Sequence, residues 1–83
     1  MTEQKIKQDY EINIGANIRS IRREKNIGQT ELVTRLQLAG VNITRETLVK
    51  IERGVQHIQA AQLRGIRDAL RTTYDELLKQ TGI

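Results

Sequence analysis

No cysteine and no proline occur in the 83 residues. Without cysteine there is no disulfide, no thiolate metal site and no cysteine nucleophile. A chain free of proline suits helices better than a turn-rich β fold. Phenylalanine and tryptophan are also missing, which leaves Tyr10 and Tyr74 as the aromatic set. So few rings argue against a β-sandwich and against a stacking platform for single-stranded nucleic acid. The single histidine, His57, excludes a multi-histidine metal cluster. The one serine, Ser20, has no base near it in sequence, and the carboxylates lie scattered among basic residues, as on a salt-bridged surface. Glycines stand apart from one another, so no phosphate-cradling loop is present. The expectation is a non-enzyme with no cofactor and no metal. No apolar run approaches the ~18–20 residues of a membrane span, and no secretory signal is visible, so a cytoplasmic protein without a membrane partner is expected.

What the sequence does have is positive charge and helical punctuation. Lys and Arg number 14 against 10 Asp and Glu, a net charge of +4. That is a mild lean toward an anionic partner. The charge is spread along the chain, so any basic patch must be made by folding.

Residues 1–11 are polar, lack a helical apolar stripe and read as a flexible arm, with Tyr10 at the edge of the core. Residues 12–80 read as one small helical domain. Ile14, Ile18 and Ile21 recur at i, i+4, i+7 and predict a helix over about 13–25, with Asn13 as N-cap. A second helix is expected from Gln29 to about Ala39. Gly28 is its N-cap, Ile27 with Leu32 its hydrophobic staple, and Gly40 its left-handed end. Thr44 caps a third helix to about Arg53, with Ile43 and Leu48 repeating the staple. Leu63, Ile66 and Leu70 mark a fourth over about 59–71. Residues 55–58 read as a loop between the two. Thr73 and Glu76 form a capping box for a short fifth helix carrying Leu77 and Leu78.

The middle of the chain is the most specific part. A helix opening Gln29-Thr30-Glu31-Leu32, a turn holding Gly40 and a helix closing Ile51-Glu52-Arg53-Gly54 form a pair packed across a tight connection. If Leu48 and Ile51 face inward, then Arg45, Glu46, Val49, Lys50 and Arg53 face outward. Such a helix fits the major groove of B-DNA, and its first residues reach base edges.

These residues resemble the Cro/phage-repressor, XRE-like helix-turn-helix transcriptional regulators. The likeness covers about residues 12–78. It is carried by Ile18-Arg19 with Arg22, by Gln29-x-Glu31-Leu32, by Leu48-x-Lys50-Ile51-Glu52-Arg53-Gly54 and by Asp75-Glu76-Leu77. It implies an all-α, compact five-helix bundle of the lambda-repressor-like DNA-binding type, with the helix-turn-helix at about 29–53. Gln29 matches a glutamine that lies on the DNA backbone. Arg45, Glu46 and Lys50 match base-reading positions, and Thr44 and Thr47 lie near phosphate. Arg22 and Glu52 match a salt bridge that sets the angle of the reading helix. Arg19 and Arg53 are further DNA-binding candidates, and His57 is either a phosphate contact or a solvent-exposed loop residue. The chain departs from the pattern at Gly28 (usually Ser or Thr), at Val33 (usually Ala), at Arg67 (usually small) and in a longer interval from Val33 to Thr44.

The function expected is a sequence-specific, double-stranded DNA-binding regulator, a repressor, acting as a homodimer on a palindromic operator. Tyr74, Leu77, Leu78 and Ile83 are the expected dimer surface, because so short a last helix carries more apolar side chains than it can bury. The alternative is a protein-interaction module of the same fold, such as an antitoxin or regulatory partner, with little DNA binding.

Overall fold

Four apolar stripes at helical spacing fold together, and each helix start has a sequence reason. The computed structural model describes residues 5–6 and 13–80. In chain order these are β1 (Lys5–Ile6), α1 (Ile14–Glu24), α2 (Gln29–Leu38), α3 (Arg45–Glu52), β2 (Ile58–Gln59), α4 (Ala60–Leu70) and α5 (Tyr74–Leu78). The described chain is mostly helical. No helix among the described residues is long and apolar enough to cross a membrane.

Asn13, Thr44 and Thr73 cap α1, α3 and α5, their side-chain oxygens accepting from the backbone N–H of Ala16, Thr47 and Glu76. Each satisfies one of the N–H groups a helix start leaves without a partner. Gly28 caps α2 with no side-chain bond. Gln59 caps α4 in a reciprocal box with Gln62.

The first three helices end alike. In α2 the N–H of Gly40 donates to Gln37 and that of Val41 to Leu36, with Gly40 at φ 84°. This is the Schellman arrangement, in which the left-handed residue turns two orphan carbonyls back onto the chain. Asn26 does the same after α1 and Gly54 after α3.

The core gathers Ile14, Ile18 and Ile21 of α1, Leu32, Val33 and Leu36 of α2, Leu48 and Ile51 of α3, and Leu63, Ile66 and Leu70 of α4. Ile27, Ile43, Ile58 and Leu77 complete it from the connections, β2 and α5. Two glycines let elements touch. A Cβ on Gly15 would overlap the backbone of Ile51 and Glu52, so α1 rests directly on the end of α3. A Cβ on Gly65 would come within 2.7 Å of Val41, which seats the α2–α3 connection on α4.

Two features differ from the sequence expectation. Residues 55–58 are not all loop: Ile58 is fully buried and begins β2, which pairs antiparallel with β1 in the register Lys5–Gln59 and Ile6–Ile58. Part of the arm therefore lies on the domain. The rest of it, with Tyr10, is outside the described residues. Leu77 is also fully buried within its own chain, so it offers nothing to a dimer surface. Its neighbour Leu78 stays 37% exposed. Tyr74 is half-buried, with the Arg67 guanidinium 4.5 Å from its ring centre. Ile83 is outside the described residues.

Candidate functional site

The third helix has two unlike faces. Leu48 and Ile51 are wholly buried, while Arg45, Glu46, Lys50 and Arg53 are exposed and Thr47 and Val49 half-buried. The apolar spacing dictates most of this: once positions 48 and 51 face the core, 46, 49, 50 and 53 must turn away from it. Thr44 is exposed, but its hydroxyl is occupied at the helix start, accepting from Thr47 N–H at 3.1 Å and donating to Thr47 Oγ1 at 3.0 Å.

The base of this helix is held by a buried polar network. Arg22 of α1 grips Glu52 with both ends of its fork: Nε to Oε2 at 2.8 Å and Nη2 to Oε1 at 2.9 Å. Its Nη1 donates to the Ile27 carbonyl at 3.0 Å. Gln29 adds an Nε2 bond to Glu52 Oε1 at 3.2 Å. Both charged side chains are nearly inaccessible, at 9% and 3%. No buried polar side-chain atom among the described residues lacks a partner. A paired, fully bonded charge of this kind fixes geometry more than it adds stability. It ties the last turn of α3 to α1 and to the turn before α2, and so sets how the exposed face stands. Gln29, expected on a DNA backbone, turns its amide nitrogen inward to this network.

The remaining expected residues fall in two places. Arg19 is exposed on α1. With Arg22 and Arg23 it forms one wall of an open groove of about 510 Å³, which Val49, Glu52 and Arg53 line from α3. Gln29 lines it too. His57 is exposed beside Val55, Gln56 and Gln59, just before β2.

Ion pairs among the described residues are Arg22–Glu52, Arg35–Glu31, Arg67–Asp68 and Lys79–Glu76. Arg19, Arg23, Arg45, Lys50 and Arg53 take part in none of them. The exposed surface of α3 and the adjoining wall of α1 thus present five cations that belong to no ion pair among the described residues, with Glu46 and Glu24 as the exposed acids on these two helices.

Two residues escaped the sequence reading. Arg23 follows Arg19 at i+4, a spacing that puts both on one side of α1. Asn17 is buried and donates from Nδ2 to the Leu77 carbonyl at 2.8 Å and the Lys79 carbonyl at 3.0 Å, clamping the end of α5 onto α1. Its place in line with the apolar stripe at Ile14, Ile18 and Ile21 was the only signal.

Comparison with the profiles of known families, with curated proteins and with solved structures finds no match.

Proposed function

We propose that this chain is a helix-turn-helix regulator of the lambda-repressor-like kind, binding double-stranded DNA with α3 in the major groove. The observation that carries the reading is the pairing of α3's buried apolar face with an exposed one carrying Arg45, Lys50 and Arg53 against the single acid Glu46, braced at its base by Arg22 and Glu52. An α-helix fits the major groove, and a face that is exposed but rigidly mounted can be aimed at base edges. Arg45, in the first turn, is the residue placed to hold guanine O6 and N7 in a bidentate pair. Lys50 and Arg53 lie further along the same face, toward the phosphates. Glu46 accepts from cytosine N4 or repels a misplaced backbone. Lys and Arg at phosphates release counterions and supply affinity that is blind to sequence. Base contacts supply choice, roughly 1–3 kcal/mol for each good bidentate pair.

One such helix reads a few base pairs, so two copies on a palindromic operator are part of the proposal. The expected groups left for self-association among the described residues are Tyr74 and Leu78. Selection of bound duplexes from a random pool tests the reading. The expected result is an enriched inverted repeat with half-sites about one helical turn apart. No enrichment would remove the DNA reading and leave a protein partner as the use of this surface.

A further inference from the structure

We infer that the groove between α1 and α3 is a separate phosphate site, gripping the sugar-phosphate strand that borders the groove α3 enters. This rests on the reading of α3 as a duplex reader and adds a site on a different helix.

The groove is lined by four arginines and one carboxylate. The carboxylate, Glu52, is already committed: both its oxygens accept from Arg22, and Gln29 takes a third bond. Arg19 and Arg23 of α1 and Arg53 at the end of α3 are exposed and belong to no ion pair among the described residues. Like charges at i, i+4 destabilise a helix, and here a third guanidinium faces the same space. Glu24 does not line this groove; with Asn13 and Ser20 it lines the adjoining one, to which Arg19, Arg23 and Arg53 also belong. The arrangement costs the free protein stability that an inserted anion restores. Planar guanidinium forks match phosphate oxygens in pairs, which ammonium groups do not. The groove is also continuous with the reading face, since Val49 and Arg53 belong to both. A strand bordering α3 would therefore pass over Arg19 and Arg23.

The test compares the wild type with the Arg19→Gln/Arg23→Gln double variant on a mixed-sequence DNA duplex over a range of salt. An Arg64→Gln/Arg71→Gln variant, altered at exposed arginines of α4 and its C-cap, is the charge-matched control. Each phosphate contact removed lowers the slope of log K against log salt by about 1, so the double variant should lose about 2 and the control nothing comparable. At low salt the double variant should also melt at or above the wild-type temperature. A wild type that binds, with a double variant keeping its slope or a control losing as much, would overturn the groove and leave the reader standing. A wild type that does not bind the duplex would overturn the reader, and the groove is then decided by inorganic phosphate at constant ionic strength. Saturable shifts of the Arg19, Arg23 and Arg53 guanidinium signals support an anion site, and unmoved signals end it.

Discussion

Around α4 and α5, two of the four cations are settled locally, while Arg64 and Arg71 are exposed and belong to no ion pair among the described residues. Arg67 lies 2.7 Å from Asp68 and over the ring of Tyr74, and Lys79 lies 3.4 Å from Glu76. The hydrogen bond that Arg67 donates to the Asp68 carboxylate raises the Arg67 pKa above its ordinary value. Around α1 and α3 the exposed cations are more numerous, and three of them gather around one groove. There the ion pair among the described residues, Arg22–Glu52, is buried, and Arg19, Arg23, Arg45, Lys50 and Arg53 are exposed and belong to no ion pair among those residues. The adjacent residues Arg22 and Arg23 show the contrast at its sharpest. One is structural and inaccessible; the other faces solvent across an open groove. The lesson is that net charge of +4 says little, and that the place where unpaired arginines gather says where an anion belongs.

The largest expected effect breaks the structural half of this contrast. Glu52→Ala leaves the Arg22 guanidinium buried without its partner and should cost about 3–5 kcal/mol in denaturant unfolding. A loss below ~1 kcal/mol would mean the pair does not brace α3. Next comes Gly15→Ala, whose methyl must push the end of α3 away from α1. Overpacking of this kind costs about 1–3 kcal/mol, and the same variant should weaken duplex binding because the reading helix is displaced. Asn17→Ala deprives two carbonyls of their donor and should cost about 1–3 kcal/mol, read as loss of amide protection around α5.

The exposed half should respond in the opposite sense. Arg45→Ala and Lys50→Ala should each leave stability within about 0.5 kcal/mol of wild type, yet reduce affinity for a selected duplex tenfold or more. If unfolding suffers while binding does not, the two halves have been assigned the wrong way round. The smallest effect belongs to α4 and α5. Arg67→Ala removes the cation–π contact with Tyr74 and the ion pair with Asp68, and should lower the melting temperature only slightly with no change in duplex binding.

Helix placement was legible in the residues because apolar spacing and caps act within a few positions. Asn13, Gly28, Thr44 and Thr73 each precede the helix they were expected to cap, and Gly40 takes the left-handed turn. The longer interval after Val33 is shared between a ten-residue α2 and the connection 39–44, with Val41 seated on Gly65. Features that depend on distant partners were not legible. A two-residue strand such as Ile58–Gln59 has no period to detect, and its pairing with Lys5–Ile6 spans most of the chain. Asn17 reads as a polar residue on a helix until Leu77 and Lys79 are brought to it. Leu77 was counted as surplus apolar surface because the sequence does not show that α1 covers it. The tie between Arg22 and Glu52 was expected from resemblance; nothing in their spacing of thirty positions announces it.

The most direct test of the central claim is a residue-resolved footprint: amide and side-chain NMR shifts while a selected DNA duplex is added. The account predicts the largest changes along the exposed side of α3, from Thr44 through Arg45 and Lys50 to Arg53, with α5 little moved. Shifts confined to α4 and α5, or none at saturating duplex, would contradict it.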